Sequence, residues 1–399
     1  MKHRIVILGA GYAGAYVAGN LARRLSPADA EITVVNAEPD FVQRLRLHQL
    51  AAGHDVEAPQ LADVFAGTGI RLRLAHVTAV HPERQVVTVA DAHGGGELAY
   101  DTLLYTLGSR VADQGVPGVA EHAFDVAGRP SALRLRDRLD SLVKRGEGGR
   151  VLVVGDGLTG IETATELAEA RPGLWVTLIA RRELGARLSA GARGHLRRAC
   201  DRLGITVVEH TSVEAVEATR VLCADGTALA SDATVWTAGF AVNPIAAASG
   251  LEVVENGQIV VDRTMRSVSH PNVYAAGDAV HAIGDNGRPM PMSCGSAGYT
   301  GRQAIGAIVG RLTGGKVPHT KLVYVFNHIS LGRRDGMLQM VDDEGQAKPR
   351  YVGGRKAARI KRAIVKGSLL GTAHPTFGLP KRKHRLAAAP DGAAEKAAA

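Results

Sequence analysis

The stretch Ile5 to Gly14 reads IVILGAGYAG and decides how the chain begins to fold. Four β-forming residues lead into Gly9-x-Gly11-x-x-Gly14, and the small and apolar residues from Tyr16 to Leu25 suit a helix packed on a sheet. Strand, glycine turn and helix are the context that a dinucleotide-binding fingerprint requires. Gly9 permits the tight turn, Gly11 lets a pyrophosphate approach the backbone, and Gly14 lets helix and strand pack closely.

Composition limits the class of protein. A chain of 399 residues with 45% apolar content is expected to form two or three globular domains. No apolar run is long enough to predict a membrane-spanning helix, and the short apolar start is already assigned to a strand, so we expect a cytoplasmic protein. Cys200, Cys223 and Cys294 lie far apart, which argues against a disulfide framework, a zinc site and a redox dithiol. Redox chemistry therefore needs a cofactor.

The net charge of +9 is concentrated near the C-terminus. The segment from Lys348 to Leu386 holds twelve basic residues and no acidic one, so removing these charges leaves −3 for the rest of the chain. The high isoelectric point therefore describes this segment and not the body of the protein.

The residues after the first predicted helix indicate where an adenosine ribose lies. Glu31 to Val35 is predicted to be the second parallel strand, and Asn36 follows it, 22 residues after Gly14. An acidic residue ordinarily binds the ribose hydroxyls at this place. Asn36 can still accept a hydrogen bond from one hydroxyl, and Glu38 is the alternative ligand.

The segment Phe41 to Gly53 is predicted to be helical and carries Arg44, Arg46 and His48. Two interpretations remain open for it. The basic side chains either form a solvated face, or Arg44 contacts the pyrophosphate while His48 lies near the reactive ring.

Strand patterns dominate Ile70 to Tyr100 and resemble the β-meander that precedes the last strand of a nucleotide-binding unit. The apolar strand that follows, up to Ser109, ends on small residues. At Gly108 the backbone can therefore lie against a ligand.

A second fingerprint follows a predicted helix over Ser131 to Leu142. It begins at Val151 and reads VLVVGDGLTGIE, with glycines that repeat the first spacing 146 residues later: Gly155, Gly157 and Gly160. Two complete fingerprints predict two dinucleotide sites. A glycine-rich turn without a ligand is the alternative for the second one.

The strand after the second fingerprint ends at Ile179 and is followed by Ala180, Arg181 and Arg182. An acidic residue at this place selects NADH by binding the ribose 2′-hydroxyl, whereas arginine binds the 2′-phosphate of NADPH. The pattern favours NADPH, and solvated arginines are the alternative.

A late apolar strand, Asn272 to Ala276, ends in Gly277 and Asp278. The glycine admits close approach of a ligand, and an aspartate at the carboxyl end of a strand suits a ribityl hydroxyl. The alternative is that Asp278 caps the helix that follows.

Together these motifs resemble the pyridine nucleotide-disulfide oxidoreductase superfamily of two-dinucleotide flavoproteins, over roughly residues 1 to 340. The shared features are the first fingerprint, the YDxLLYxLGS strand, an inserted NAD(P) domain and the late VYAAGD strand. The absent dithiol argues against disulfide reductases. Glu162, together with VWTAG ending at Gly239, is most similar to the type II NADH dehydrogenases, peripheral enzymes that pass electrons from NADH to quinone.

The resemblance implies roles for individual residues. It places Glu162 beside the nicotinamide, where it orients the ring and does not act as an acid. It also implies that Gly155, Gly157, Gly160 and Gly239 line the NAD(P)H site, to which the residues after the second fingerprint add Arg181. For FAD it implies Gly9, Gly11, Gly14, Asn36, Gly108 and Asp278. From their positions in the sequence we add Arg44, Gly277 and Ala297 to the predicted cofactor-binding residues.

One departure from the family pattern concerns the quinone side. The family has a paired glutamine before a glycine, whereas this chain has Tyr299 and Thr300 before Gly301. Quinone reduction is therefore less strongly implied than FAD binding, because the backbone at the start of this helix, around Ala297, can still face the flavin. Cys294, which lacks a thiol partner, is expected to pack and not to react.

The C-terminal part has predicted strands over about 322–341 and a helix from Arg355 to Leu370. In the family this region covers the far side of the flavin and helps the protein to dimerise or reach a membrane. The helix suits either an anionic membrane surface or a packed position with a solvated basic face. The last residues, Ala387 to Ala399, are expected to be disordered.

We therefore predict an α/β fold with two Rossmann-like domains, the second inserted into the first, and a C-terminal α+β region. The predicted boundaries are 1–110 and 256–320 for the FAD domain, 111–255 for the NAD(P)H domain, 321–386 for the interface region and 387–399 for the tail.

Three hypotheses follow for function. The first is a peripheral NAD(P)H:quinone oxidoreductase, a possible homodimer on the inner face of the cell membrane. The second is a soluble NADPH-dependent flavin reductase that acts on a small metabolite or a ferredoxin-like protein. The third is a non-catalytic FAD and NAD(P)H redox sensor. No metal site and no specific nucleic-acid partner are expected.

Overall fold

The structure is a computed structural model that describes residues 1–92, 94–144, 148–376 and 383–387. Of the predicted disordered tail, only Ala387 falls among these residues. Lys381 and Arg382 of the basic segment also lie outside the described residues.

The elements of the first part of the chain follow one another in this order: β1 (His3–Leu8), α1 (Tyr12–Arg24), β2 (Ala30–Asn36), a 3-10 turn (Arg44–Arg46), α2 (Leu47–Ala51), α3 (Leu61–Phe65), β3 (Arg71–Leu74), β4 (His76–His81), β5 (Val86–Ala90), β6 (Gly96–Ala99), β7 (Thr102–Tyr105) and β8 (Ser109–Val111). The middle part contains α4 (Val119–His122), β9 (Ala123–Phe124), α5 (Arg129–Lys144), β10 (Gly149–Val154), α6 (Leu158–Ala170), β11 (Leu174–Ile179), α7 (Ala190–Arg202), β12 (Thr206–Val208), β13 (Val213–Val216), β14 (Arg220–Cys223), β15 (Ala228–Ala230), β16 (Ala233–Trp236), β17 (Phe240–Val242) and α8 (Ile245–Ala248). The last part contains β18 (Ile259–Val260), β19 (Val273–Ala275), a 3-10 turn (Gly277–Ala279), β20 (Val280–His281), α9 (Cys294–Thr313), β21 (Phe326–Ser330), β22 (Gly336–Val341), β23 (Ala347–Gly353) and α10 (Gly354–Ala373).

The first fingerprint lies in a parallel sheet of order β19-β7-β1-β2-β3. Ile5 to Leu8 of β1 are buried, as expected for a central parallel strand that is covered on both faces. Helices α1 and α9 pack together on this sheet, and the β4-β5-β6 meander follows β3 in the chain. Strand β19 comes from the last part of the chain and pairs with β7 in this sheet.

The second fingerprint lies in a second parallel sheet of order β12-β11-β10-β16-β9. All its strands come from between Ala123 and Trp236, so this unit is inserted between β7 and β19 of the first sheet. The two connections between the units pair with each other, since β8 and β17 are antiparallel. The prediction of two Rossmann-like domains, one inserted into the other, is confirmed.

The segment Phe41 to Gly53 is less helical than predicted. Its first residues are extended because the amide of Phe41 donates to the carbonyl oxygen of Pro59 (2.8 Å) and its ring packs edge-on against Tyr12. Regular structure in this segment is the short 3-10 turn at Arg44 and the helix α2.

The C-terminal part is an antiparallel sheet of order β21-β22-β23 with α10 packed on it and on α1. Ala357 and Lys361 of α10 are buried, whereas its outward side chains are exposed and basic: Arg355, Lys356, Arg359, Arg362 and Lys366. The helix is therefore packed on one face and exposed and basic on the other, and its contact with a membrane surface stays a prediction. Within the described ranges, none of the helices has both the length and the apolar character needed to cross a membrane.

Candidate active site

One cavity of about 1570 Å³ runs between the two parallel sheets and the C-terminal part. Except for Gly14 and Gly160, which lie behind the glycine turns, every residue that the sequence assigned to a cofactor lines it. These lining residues are Gly9, Gly11, Asn36, Arg44, Gly108, Gly155, Gly157, Glu162, Arg181, Gly239, Gly277, Asp278 and Ala297.

The first glycine turn is held tight by close backbone packing. Gly9 has φ +93°, and a Cβ on Gly14 would lie 1.8 Å from the carbonyl oxygen of Gly9. The hydroxyl of Thr106 donates to the carbonyl oxygens of Leu8 (2.7 Å) and Gly9 (3.1 Å). Only glycine at position 14 allows this geometry.

The second glycine turn repeats the arrangement. A Cβ on Gly160 would lie 1.7 Å from the carbonyl oxygen of Gly155, which has φ +113°. The hydroxyl of Thr237 donates to the carbonyl oxygens of Val154 (2.8 Å) and Gly155 (3.2 Å).

Sequence reasoning missed Thr106 and Thr237. The signal was present, because each begins a Thr-x-Gly triplet that directly follows a strand of its parallel sheet, ending at Gly108 and at Gly239.

Both fingerprint helices begin without a cap. Helix α1 starts after Gly11 and helix α6 after Gly157, with no side-chain cap and no acidic residue in the first turn. By contrast, Ser189 and Ser293 cap α7 and α9. A Cβ at Gly11 or Gly157 would find nothing within 4 Å.

Free N–H groups at an open, uncapped helix start are the donors that a pyrophosphate binds. The residues present at both turns therefore fit one dinucleotide each. The assignment of FAD to the first turn and NAD(P)H to the second stays a prediction.

Asn36 braces the first turn. Its Oδ1 accepts a hydrogen bond from the amide of Ala10 (2.8 Å), and its Nδ2 donates to the carbonyl oxygen of Glu38 (2.7 Å). Aspartate could not make the second bond, because it has no donor when ionised. Asn36 and Glu38 both line the cavity, and the assignment of either to a ribose stays a prediction.

Arg44 and Asp278 meet across the first cofactor site, with Ser109 between them. The hydroxyl of Ser109 donates to Asp278 Oδ2 (2.6 Å), and Arg44 Nη1 donates to the carbonyl oxygen of Ser109 (2.6 Å). The Arg44 and Asp278 charges are 3.8 Å apart, and the guanidinium of Arg44 stacks 5.0 Å from the ring centroid of Phe240. Arg44 is thus part of a built site and not of a solvated basic face.

Thr300, one of the two residues that replace the family's paired glutamine, has a structural role. Its hydroxyl donates to the carbonyl oxygen of Ser296 (2.8 Å) and lies 3.1 Å from the amide of Gly277, which donates to it. The start of α9 is therefore tied to the turn that carries Asp278. The neighbouring Tyr299 lines the cavity.

Cys294 also lines the cavity and is half-buried. Burial raises the pKa of its thiol above the ordinary value. It is therefore protonated near neutral pH and is a poor nucleophile.

Three arginines line the cavity around the end of β11: Arg181, Arg182 and Arg187. All are exposed, and none forms an ion pair with another described residue. The nearby acidic side chains are engaged elsewhere, since Glu183 pairs with Arg193 (2.6 Å) and Glu209 pairs with Arg197 (2.6 Å). The three arginines therefore give this part of the cavity positive charge that no ion pair with a described residue neutralises.

The carboxylate of Glu162 has two partners from the C-terminal part of the chain at the wall of the cavity. Its Oε1 accepts a hydrogen bond from the amide of Ser330 (2.6 Å) and contacts the ammonium of Lys361. The side chains of Glu162 and Lys361 are only 12% and 8% exposed. Sequence reasoning missed Lys361, because it lies among many basic residues and nothing in the pattern marks it as buried.

The fold and the site define a class of protein: a flavoprotein that binds two dinucleotides. The features that define it are the cavity, the two glycine turns and strand β19, which pairs with β7 in the first sheet. Comparison with known proteins agrees, since the sequence pattern described as pyridine nucleotide-disulphide oxidoreductase matches residues 3–301. The chain belongs to this family. The predictions of an oxidoreductase with FAD and NAD(P)H as its cofactors are confirmed.

Individual relatives are similar over most of their length. A NADH dehydrogenase-like protein of Mycobacterium tuberculosis is 31% identical over 325 residues, which are 75% of this chain and 78% of that protein. A type II NADH:quinone oxidoreductase of Staphylococcus haemolyticus is 25% identical over 391 residues, 91% of this chain and 94% of that protein. The solved structure of NDH2 from Plasmodium falciparum in complex with NADH shares the fold, with TM-score 0.79, 15% identity and coverage of 94% and 97%.

Proposed function

We propose that this protein takes a hydride from NADPH onto FAD and passes the two electrons to a quinone. The observation that carries this proposal is the single cavity, which connects the second glycine turn, the first glycine turn and the walls of β21 and α10. Both redox partners of a bound flavin could therefore reach it within one cavity. The name of the Staphylococcus haemolyticus relative supports quinone as the acceptor.

The protein's own part in this reaction is positioning. FAD, when bound, supplies the chemistry of accepting a hydride and releasing electrons. The free amides at the start of α1 and α6 would hold the two pyrophosphates. Ser109, Arg44 and Asp278 would fix the chain that links the FAD diphosphate to its ring.

Apolar side chains of the C-terminal part line the proposed acceptor end of the cavity. Val325, Phe326 and Ile329 of the C-terminal sheet line it together with Ile364 of α10. An uncharged aromatic ring such as a quinone suits these walls, since burying apolar surface is favourable. Polar groups line this end as well, among them Glu162, Asn327, His328, Lys361 and Ser368.

NADPH is the proposed donor because of the unpaired arginines. Arg181, Arg182 and Arg187 line the part of the cavity that follows β11, where the adenosine ribose of a second dinucleotide would lie. A 2′-phosphate would bring two negative charges to these three guanidinium groups, which can bind it in bidentate fashion. Ala180, buried at the end of the strand, offers no carboxylate for a free 2′-hydroxyl.

Contact with the inner face of a membrane is part of the proposal. The exposed basic side chains of α10 would meet anionic lipid headgroups, and Leu370, which is 50% exposed, would enter the interface. A homodimer remains a prediction. Pelleting with anionic vesicles that is lost at high salt supports this contact, and equal pelleting with neutral vesicles contradicts it.

A second candidate function is a soluble reductase with another acceptor. It is favoured by Tyr299 and Thr300, because the hydroxyl of Thr300 is engaged with Gly277 and Ser296 and offers nothing to a quinone. Because the family consists of oxidoreductases, the hypothesis of a non-catalytic sensor is not retained.

Steady-state turnover separates the two candidates. NADPH oxidation by the FAD-loaded protein is compared with a short-chain quinone and with a ferredoxin as acceptors. Faster turnover with the quinone supports the proposed function, and turnover with ferredoxin alone supports the second candidate.

A further inference from the structure

Glu166 lies one helical turn beyond Glu162 on α6, and its burial is unusual for a carboxylate. Its side chain is fully buried, and neither oxygen has a hydrogen-bond partner among the described residues. The nearest ring nitrogen is Nε2 of His54, which lies 2.8 Å from Oε1 without the alignment of a hydrogen bond. A buried polar group left in this state calls for an explanation.

His54 connects this carboxylate to solvent. Its side chain is 35% exposed, so the His54–Glu166 pair runs from the surface to the interior. On the cavity side, helix α2 packs on α6 and carries His48, which is buried and lines the cavity. The Nε2 of His48 likewise has no hydrogen-bond partner among the described residues.

The charged groups around the pair are mostly basic. Arg333 Nε lies 3.9 Å from Glu166 Oε1, and its amide donates to Glu169 (2.5 Å). The other charges that act on His54 or Glu166 are those of Arg46, Glu169 and Arg171. The charges that act on His48 are those of Lys361, Arg333, Arg46 and His54.

We propose that His54 and Glu166 carry protons from solvent to the Glu162–Lys361 pair at the cavity. They would thereby supply the one proton per turnover that the acceptor needs from solvent. This inference rests on the proposed function, because reduction of a quinone to a quinol needs two electrons and two protons. A hydride supplies two electrons and one proton, so each turnover takes up one more proton from solvent.

The steps balance within the chain. A solvent proton binds His54 and moves across the 2.8 Å contact to Glu166. The acceptor takes a proton from the ammonium of Lys361, which contacts Glu162. Glu162 lies four residues before Glu166 on the same helix, with the two Cβ atoms about 6 Å apart, so Glu166 restores this proton to the Glu162–Lys361 pair. His54 then takes up the next proton.

The acidity of these groups suits transfer near neutral pH. Burial raises the pKa of Glu166 to about 7, so its carboxyl group can both hold and release a proton. Burial and then the charge of Arg333 lower the pKa of His54, which favours release of the proton inward.

The test compares two acceptors in the FAD-loaded protein. Glu166→Gln and His54→Gln should lower turnover with a short-chain quinone by about tenfold to a hundredfold and flatten its pH profile near neutral pH. Turnover with ferricyanide, which accepts electrons without protons, should be unchanged in both variants. External imidazole should restore quinone turnover in His54→Gly.

A matched control is His195→Gln. His195 Nε2 lies 2.9 Å from Asp335 Oδ1, a similar pair that does not line the cavity, and its loss should leave both acceptors unaffected. A second readout needs neither nucleotide nor quinone: an infrared band of a protonated carboxyl group that titrates near neutral pH in the wild type should be absent from Glu166→Gln.

Some results would overturn the proposal. These are equal losses with quinone and ferricyanide, unchanged quinone turnover in both variants, or a carboxyl band that persists in Glu166→Gln. A wild-type protein that oxidises NAD(P)H but does not reduce quinone contradicts the proposed function instead. The same variants are then tested with a dye that accepts two electrons and two protons.

Discussion

The ammonium of Lys361, on the C-terminal helix, contacts the carboxylate of Glu162, on the helix of the second fingerprint. The pair joins the C-terminal part to the nicotinamide domain at the wall of the cavity. Burial lowers the pKa of Lys361, and the adjacent carboxylate favours its charged form. The two charges are therefore interdependent.

Lys361→Met should destabilise the protein by about 3 kcal/mol, because it leaves the Glu162 carboxylate buried without its cation. The double variant Lys361→Met/Glu162→Gln should recover much of this loss, since no unpaired charge remains. Urea unfolding of the three proteins measures both effects. Equal stability of Lys361→Met and wild type would mean that the ion pair contributes nothing to folding.

Two glycines of the first turn should have different roles, since Gly11 is expected to matter for FAD binding and Gly14 for stability. Gly11→Ala should fold normally but lose FAD by about tenfold in affinity or more, because its Cβ meets no protein atom and occupies the place of the pyrophosphate. Gly14→Ala should lower the free energy of unfolding by on the order of 3 kcal/mol, since its Cβ would lie 1.8 Å from the oxygen of Gly9.

Flavin absorbance and unfolding midpoints distinguish the two glycine variants. Gly173→Ala is the control, because it also meets nothing within 4 Å and lies outside the cavity. Normal flavin binding by Gly11→Ala would contradict the assignment of this turn to FAD.

Replacing Arg181 or Arg187 by alanine should weaken NADPH binding about tenfold to a hundredfold, the range expected for a lost charged hydrogen bond. NADH binding should change little, because NADH has no 2′-phosphate. Calorimetry with 2′,5′-ADP and with 5′-ADP measures the difference without any turnover. Arg198, exposed and outside the cavity, provides the control variant, and equal affinity of the wild type for both ligands would refute the NADPH assignment.

Glu166 should make stability depend on pH in the direction opposite to that of most carboxylates. Its pKa is raised from 4.5 to about 7, so the folded state binds more protons than the unfolded state between these values and loses stability as pH rises. Glu166→Gln should gain up to roughly 3 kcal/mol relative to wild type between about pH 4 and about pH 8. Measuring the free energy of unfolding of both proteins at the two pH values checks this prediction. A difference between the proteins that is the same at both pH values contradicts it.

Much of the fold was predictable because its signals are local. Each fingerprint contains its own strand, turn and helix, so Gly9 and Gly155 identified both sheets without any long-range information. The order of the motifs then predicted the insertion. The segment after Phe41 was less accurate, because its hydrogen bond to Pro59 overrides a helical pattern.

The site was predictable where a motif marks the position of a residue. The glycines, the strand ends and side chains such as Glu162 and Asp278 were assigned from their motifs, and nearly all of them line the cavity. Lys361, Ser109 and His54 escaped notice because their roles depend on side chains that meet across the fold. Burial of one lysine among many basic residues is decided by packing, which no local pattern contains.

The most direct test of the central claim is a stopped-flow experiment on the FAD-loaded protein, in two steps. NADPH is mixed first, and bleaching of the flavin is followed against the same experiment with NADH. A short-chain quinone is then added to the reduced protein. The account predicts fast bleaching, faster with NADPH than with NADH, and fast reoxidation by quinone, whereas no bleaching with either nucleotide, or bleaching without reoxidation by quinone, would contradict it.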